Sequence, residues 1–367
     1  MRILWFAWKD REHPQAGGAE LVREELAERL AKDGHDVRFL VGGFKGGASE
    51  IQKNGFTITR LGGRFSVYWR AHQYYIRHLR GWADFVVDEV NTIPFFASWY
   101  CREPVILFIH QLARQIWFYE IFFPLSLFGY LIEPVYLWHL RRLPVITISE
   151  STKKDLQRFG FSKNHIHIIS EGIAMEPIAD FNSIIKDKKP TLLALGSIRP
   201  MKRTHHVIRA FEIAKQDIPD LQLMIAGAAE GWYGKCVLKM IRRSPFSQEI
   251  QYLGRVEQSQ KIALLRRAHL LCVASVKEGW GLTVTEANSQ GTPAVAYDVD
   301  GLRDSIRNGE TGIVCAENTP EMMAKSVAVL LKDAQNYQRL RENAWEWSQT
   351  MTFDSSARNF LPAVYER

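Results

Sequence analysis

The sequence is poor in cysteine and carries no disulfide or zinc framework. Its four cysteines, Cys101, Cys236, Cys272 and Cys315, show no C-x-x-C or metal-site spacing, so a disulfide scaffold and a cysteine metal site lack their usual signature. Three of the four lie in apolar surroundings and are expected to be buried thiols. Such cysteine usage fits a reducing cytoplasm.

The sequence also lacks the hydrophobic pattern of a targeting segment and that of a membrane span. The apolar run Ile3–Ala7 is too short for a signal peptide, and charge follows it. The longest apolar stretch, 116–140, contains Glu120, Glu133 and two prolines, which argues against a membrane span. We therefore expect a cytoplasmic protein. The aromatic residues of 116–140 are predicted to belong to the core, and a contribution to a membrane surface is the alternative.

Two common phosphate-binding motifs do not occur either. Neither G-x-G-x-x-G nor G-x-x-x-x-G-K-[ST] is found, which removes the main argument for a dinucleotide or P-loop enzyme. The 367 residues are 46% hydrophobic and 24% charged, as expected for a globular protein of about two domains. The net charge of +7 is compatible with nucleic acid, anionic lipid or phosphate-bearing substrates and does not choose between them.

The most informative stretch is a glycine-rich turn between a buried strand and a helix. The apolar run Leu270–Ala274 predicts a buried parallel strand. Residues 282–289 suit a helix, which Gly291-Thr292-Pro293 ends. Between strand and helix lies Glu278-Gly279-Trp280-Gly281. Because ligands bind at the carboxyl ends of parallel strands, this turn is the first candidate site.

The residue types of the turn favour one kind of ligand. Gly281 allows the backbone to come close to it, and the amides of Leu282 and Thr283 open a helix, which favours a phosphate. A phosphate alone does not require the flanking carboxylates of Glu278 and Glu286, whereas a nucleotide-sugar does, because its sugar and ribose hydroxyls need acceptors. The alternative is that the two glutamates simply lie on a solvated face.

This pattern resembles the E-x7-E signature of the retaining glycosyltransferases of family 4, which have the GT-B fold. In this sequence it comprises Glu278 through Glu286, followed by Ala287 and Gly291-Thr292-Pro293. The resemblance implies a hexose-type sugar transferred from a nucleotide diphosphate sugar, UDP- or GDP-linked, without a metal ion or other cofactor. It implies an acceptor hydroxyl on a glycan, a glycolipid or a lipid-linked molecule.

Strands that alternate with helices along the whole chain predict two parallel sheets. The resemblance implies that these form two Rossmann-like domains facing a cleft. We assign 1–173 to the first domain, 174–190 to a linker and 191–349 to the second domain. A final helix, 350–367, is expected to cross back to the first domain, as it does in the family.

A basic loop follows the first strand of the second domain. In the family this loop carries an arginine and a lysine that stabilise the leaving diphosphate, and Lys202 aligns with the lysine. The usual arginine position holds Ser197, so we expect Arg199 to substitute, with Arg203 as a second candidate. A solvated basic loop is the alternative. The D-x-D sequence Asp298-Val299-Asp300 is interpreted as an ordinary family loop, so no metal ligand is predicted.

Other candidates rest on position and on the resemblance. Gly17 and Gly18 lie at a strand-to-helix turn and resemble the glycine loop that faces donor phosphates, although an ordinary helix start is the alternative. His110 ends a predicted strand and resembles a histidine near the transferred sugar, although a lone histidine there is more often structural. Arg255 and Val256 resemble residues that border the nucleotide base.

The basic and aromatic stretch 66–82 leaves two interpretations open. On a helix, its tryptophans, tyrosines and arginines suit an anionic membrane surface, or the helix is half buried against the sheet. Two other functions also stay open, a nucleotide-sugar epimerase or hydrolase of the same fold and a non-catalytic basic adaptor. We expect no nucleic-acid partner. The sequence does not choose the base, the sugar, the acceptor or the oligomeric state.

Overall fold

The computed structural model describes residues 1–365, which form two compact α/β units. The first comprises Met1–Arg114, Phe128–Ala174 and the chain from Thr352 onward, and the second comprises Gln115–Leu127 and Met175–Met351. Most of the predicted linker 174–190 therefore packs as part of the second unit, and so does the segment 115–127, which we had assigned to the first domain. The last two residues of the predicted final helix lie outside the described residues.

The elements follow one another in the expected alternation. Up to residue 174 they are β1 (Arg2–Phe6), α1 (Gly18–Lys32), β2 (Asp36–Val41), β3 (Glu50–Lys53), β4 (Phe56–Arg60), α2 (Val67–Tyr74), β5 (Phe85–Glu89), β6 (Val105–Ile109), α3 (Ile116–Glu120), α4 (Leu125–Leu140), β7 (Val145–Thr147), α5 (Glu150–Arg158) and β8 (Ile166–Ile168). Beyond it they are β9 (Thr191–Leu195), α6 (Thr204–Asp217), β10 (Gln222–Ala226), α7 (Gly231–Arg243), β11 (Ile250–Gly254), α8 (Gln258–Arg267), β12 (Leu270–Val273), α9 (Leu282–Ser289), β13 (Ala294–Ala296), α10 (Leu302–Ser305), β14 (Gly312–Val314), α11 (Pro320–Lys332), α12 (Ala334–Ser348) and α13 (Phe353–Tyr365).

The sheet of the first unit has eight strands in the order β3-β4-β2-β1-β5-β6-β7-β8. Only β3 runs antiparallel to its neighbour. The hairpin of β3 and β4 was not predicted, although Asn54 and Gly55 at its tip both have positive φ, as a two-residue hairpin turn requires. Helix α13 packs in this unit, where Phe360 stacks on Trp5 with ring centroids 5.5 Å apart. The expected return of the last helix to the first unit is therefore confirmed.

The sheet of the second unit has six parallel strands in the order β11-β10-β9-β12-β13-β14. Five of them match the strands that the sequence predicts at 191–195, 222–226, 250–253, 270–274 and 293–297. The three-residue β14 was not predicted. The chain leaves β9 toward one edge of the sheet and later returns to add β12 on the other side of β9. This reversal of strand order is where ligands bind in open α/β sheets.

The stretch 66–82 forms α2 and a π-helical turn that follows it. Val67, Ala71 and Tyr75 are buried in the core of the first unit, so one face of the stretch is an ordinary packed face. Trp69 and Arg70 are exposed on the other face. The stretch is therefore a helix half buried against the sheet, which was the second of the two interpretations. Its outer side is aromatic and basic.

The prediction that the aromatic residues of 116–140 belong to the core is wrong for most of α4. Tyr136, Leu137 and Leu140 do pack in the core of the first unit, because they share the face that lies against the sheet. Phe128 and Trp138 lie on the opposite face and are 65% and 55% exposed. Among the described residues, no helix is both long enough and apolar enough to cross a membrane.

Candidate functional site

The reversal of strand order in the second sheet brings together two of the predicted residues. The loop after β9 carries Lys202, and the turn after β12 carries Glu278. Lys202 Nζ donates a hydrogen bond to Glu278 Oε1 over 2.5 Å, and Ser275 Oγ donates to the same oxygen over 2.6 Å. A half-buried lysine, a carboxylate and a hydroxyl therefore meet at the carboxyl edge of the sheet.

Backbone packing holds these two loops in place. Val276 N donates to Met201 O over 2.8 Å, and both side chains are buried in one small cluster. Gly227, at the end of β10, has φ +152°, and a Cβ there would lie 1.9 Å from the carbonyl oxygen of Gly196. Glycine is required at this position because the ends of β9 and β10 approach each other too closely for any side chain.

One pocket unites the lysine, the carboxylate and the start of α9. Lys202, Ser275, Glu278 and Thr283 line it together with the end of β9. Gly281 precedes the helix with φ +107°, and α9 begins at the same edge of the sheet. Unpaired amides at a helix start and a neighbouring cation favour a phosphate, and an adjacent carboxylate accepts hydrogen bonds from hydroxyl groups.

Glu286 lies about one helical turn beyond Thr283 and is 3% exposed. Lys261 Nζ, on α8, donates to Glu286 Oε1 over 2.6 Å. Burial raises the pKa of Glu286, and the charge of Lys261 opposes that shift. Sequence reasoning missed Lys261, since no spacing links a lysine on one helix to a glutamate on the next.

The side chains of the two arginine candidates point to different groups. Arg199 Nε lies 3.9 Å from Glu120 Oε1, on the segment 115–127, so its guanidinium is turned to that carboxylate. Arg203, the second candidate, directs Nη2 to the carbonyl oxygen of Ser275 over 3.4 Å. Arg203 Nε is buried and has no hydrogen-bond partner among the described residues. Arg203 therefore contacts Ser275, the residue whose hydroxyl donates to Glu278.

The D-x-D carboxylates are bound by cations. Arg303 binds Asp298 and Asp300, and Lys277 Nζ lies 3.1 Å from Asp300 Oδ2. Burial opposes ionisation of Asp300, but Lys277 and Arg303 outweigh it and lower the pKa of that carboxyl. The carbonyl oxygen of Asp300 also accepts the amide of Glu278 over 3.1 Å. This segment therefore braces the Glu278 turn.

Two donor-side candidates lie at the end of β11, beside the strand that carries Gly227. Arg255 is exposed and Val256 is half-buried. Neither lines the pocket of Lys202 and Glu278. The structure therefore places them at the carboxyl edge of the same sheet, two strands away from β9.

In the first unit, His110 lies between two buried carboxylates. Its Nε2 is 3.8 Å from Glu89 Oε1, and its Nδ1 is 3.9 Å from Glu171 Oε1. Glu89 also accepts hydrogen bonds from Trp5 Nε1 and from Arg23. His110 Nε2 is buried without a hydrogen-bond partner among the described residues. Sequence reasoning missed Glu89, although an acidic residue at the carboxyl end of a buried strand is itself a signal.

In the glycine turn of the first unit, a side chain of the following helix α1 already binds one backbone amide. Gly17 N donates to Glu20 Oε2 over 2.6 Å, which satisfies one of the amides that a ligand could have used. Gly18 begins α1, the helix that follows β1 after the loop 7–17, and the strand order of this sheet reverses between β1 and β5. The position fits a ligand site, and the amide of Gly17 is the less available of the two.

Two family models match the chain. Residues 176–347 match the model described as Glycosyl transferases group 1, and residues 16–176 match the one described as Glycosyltransferase Family 4. A curated relative with a match over most of the chain is the N-acetyl-alpha-D-glucosaminyl L-malate synthase of Bacillus anthracis. It is 22% identical over 365 residues, which covers 91% of this chain and 90% of the relative.

Solved structures give the same result for the fold. The sucrose-phosphate synthase of Thermosynechococcus elongatus has a TM-score of 0.81 at 18% identity and covers 99% of this chain and 98% of its own. Anabaena Alr3699/HepE, solved in complex with UDP-glucose, has a TM-score of 0.74 at 16% identity, with both chains covered fully. At these identities the likeness concerns the arrangement of the backbone.

Proposed function

This chain belongs to family 4 of the glycosyltransferases and has the GT-B fold, and from that premise we propose a specific reaction. It moves a hexose-type sugar from a UDP- or GDP-sugar to a hydroxyl group of a glycan, a glycolipid or a lipid-linked acceptor. The anomeric configuration is retained, no metal ion takes part, and the reaction occurs in the cytoplasm.

The observation that carries the proposal is the meeting of Lys202, Glu278 and the start of α9 in one pocket. Departure of the nucleotide diphosphate is the difficult step, because negative charge develops on its phosphate oxygens. Lys202 and the amides of Leu282 and Thr283 stabilise that charge. Glu278 binds hydroxyls of the transferred sugar, since it lies directly beside Lys202.

The nucleoside occupies the neighbouring positions of the same sheet edge. The buried carboxylate of Glu286 accepts hydrogen bonds from the ribose hydroxyls, and the neighbouring charge of Lys261 favours its ionised form. Arg255 and Val256 border the base at the end of β11. Alr3699/HepE, which has been crystallised with UDP-glucose, supports a nucleoside diphosphate sugar as the donor class.

In the proposed reaction, the bond between the anomeric carbon and the diphosphate oxygen breaks as the acceptor oxygen attacks from the same face. The acceptor proton passes to the departing phosphate oxygen. Retention follows from this front-face displacement, and it is supported by the family rather than by any covalent nucleophile. We assign His110, held between Glu89 and Glu171, to the sugar or the acceptor, as the resemblance implies.

The proposal that no metal ion takes part rests on the charged side chains of the site. Lys202, Arg199 and Arg203 supply the positive charge that a divalent ion supplies in other transferases, and Asp298 and Asp300 are already bound by Arg303 and Lys277. Chelation of divalent ions should therefore leave the rate of transfer unchanged. A strict requirement for Mg²⁺ or Mn²⁺ would contradict this part of the proposal.

A thermal-shift panel tests the donor class. We expect UDP or GDP, at millimolar concentration, to raise the melting temperature more than ADP does, because binding to the native state stabilises it by RT ln(1 + [L]/Kd). The absence of a shift with all three nucleotides would overturn the donor assignment. Product analysis with the sugar-bearing donor then separates transfer from the alternative, since an epimerase or hydrolase changes the donor without an acceptor.

A further inference from the structure

Helix α4 presents an apolar face to solvent. Phe128, Leu131, Val135 and Trp138 follow one another at helical spacing and are 65%, 60%, 49% and 55% exposed. The first and the last are ten positions apart, which is about 15 Å of helix. Exposed side chains of this size in a continuous row mark an interaction site rather than ordinary surface. We call these four residues the α4 face.

The charges of the helix are kept away from this face. Its one acidic residue, Glu133, is buried and accepts the amides of Ala113 and Arg114 over 2.7 Å each. Immediately after the helix come Arg141 and Arg142, and the guanidinium of Arg141 lies 4.0 Å from the ring centroid of Trp138. The α4 face is therefore apolar along its length and basic and aromatic at its carboxyl end.

Exposed aromatic side chains also occur in other segments of the first unit. Tyr136, on the core side of α4, contacts the ring of Phe96, on which the exposed Trp99 stacks. The residue after Trp99, Tyr100, contacts His72 of α2, the helix whose outer side carries the exposed Trp69. Ring contacts thus connect α4 to the segment of Trp99, and that segment to α2.

We infer that the α4 face inserts into the surface of an anionic lipid bilayer. A helix lies in the plane of a membrane when its apolar face enters the acyl boundary, its tryptophans reach the head-group level and its arginines contact lipid phosphates. The α4 face, Trp138 and the two arginines have this order. The net charge of +7 adds attraction to a negative surface. This inference concerns a surface of the first unit and does not depend on the proposed donor.

Flotation with lipid vesicles tests the inference on the full chain. We expect the protein to float with vesicles of phosphatidylcholine and phosphatidylglycerol, to bind pure phosphatidylcholine more weakly, and to lose the difference at high salt. The double variant Leu131→Glu, Val135→Glu should bind at least about tenfold less, because two charges replace inserted side chains. The control is Ile185→Glu, Val329→Glu, in which two similarly exposed side chains of the second unit, 83% and 59% exposed, receive the same charges.

The control should bind vesicles like the unaltered chain. Thermal melting with and without UDP or GDP is measured on every variant, so that loss of fold or of nucleotide binding is separated from loss of lipid binding. If the double variant melts early, Leu131→Ser, Val135→Ser replaces it with the same expected ranking. Equal flotation of the α4 variant and the control overturns the inference. So does a dimer, seen by light scattering, that the α4 variant dissociates while vesicle binding persists.

Discussion

Lys202 Nζ lies 2.5 Å from Glu278 Oε1, across the boundary between the loops that follow β9 and β12. Each of these two charges is thus neutralised by the other where the strand order of the sheet reverses. In the proposed reaction, a diphosphate that engages the lysine leaves the carboxylate available for sugar hydroxyls. The pair would then join the leaving group and the transferred sugar of the donor at one point.

Replacement of Lys202 should reduce transfer strongly. Loss of one preorganised positive charge from the leaving group costs about 2.7–4 kcal/mol of transition-state stabilisation, which is a fall of about 10²–10³ in kcat. Initial rates with saturating acceptor measure this for Lys202→Ala. Lys239→Ala, on the exposed side of α7, serves as the control and should behave like the unaltered protein. Unchanged transfer by Lys202→Ala would refute the assigned role.

The two glutamates should differ in what they bind. Glu286→Gln should weaken nucleoside diphosphate binding, since an amide replaces only part of the charge-assisted bonding to two ribose hydroxyls, worth about 1.5–3 kcal/mol. Glu278→Gln should leave diphosphate binding nearly intact and lower the transfer rate instead. Calorimetric titration with the diphosphate and with the full donor distinguishes the two. Equal loss of diphosphate affinity in both variants would show that this division is wrong.

His110→Asn should lower transfer at least about tenfold while the affinity for the nucleoside diphosphate stays the same, because the residues assigned to the nucleotide lie in the second unit. The control is His139→Asn on an exposed position of α4. Melting temperatures report whether the buried site between Glu89 and Glu171 survives the change. A variant that folds normally and transfers at the original rate would leave His110 with a structural role alone.

The stability of the second unit should fall in acid through His269. Its Nδ1 accepts the amide of Thr191 over 3.1 Å, and burial, assisted by Lys186, lowers its pKa from 6.5 to about 4. A histidine held neutral stabilises the fold above pH 6.5, and the contribution is lost as the pH falls toward 4. His269→Asn, which keeps an acceptor near Nδ1, should lose less melting temperature between pH 7 and 4.5. The exposed His78→Asn should follow the original curve, and identical slopes for all three would contradict this account.

Local patterns were enough to predict the two sheets and the core of the candidate site. Buried parallel strands are short apolar runs, so five of the six strands in the second unit could be located directly. The turn from Glu278 to Gly281 could be placed because glycine chemistry and a helix start are local. Lys202 could be placed because the loop after β9 opens at the same sheet edge. The sequence Asn54-Gly55 is typical of a two-residue hairpin turn, so the hairpin of β3 and β4 could also have been predicted.

Tertiary structure alone decided which residues meet and which faces stay uncovered. Lys261 reaches Glu286, and Glu171 reaches His110, because strand order brings together residues that are distant in the chain. The direction of Arg199 depends on the neighbouring segment that supplies Glu120. An apolar stretch such as 125–140 indicates that one face of the helix is buried. It does not indicate how many neighbouring elements cover the helix. In α4 only one face has a neighbour, so Phe128 and Trp138 remain exposed, whereas Leu137 and Leu140 are packed.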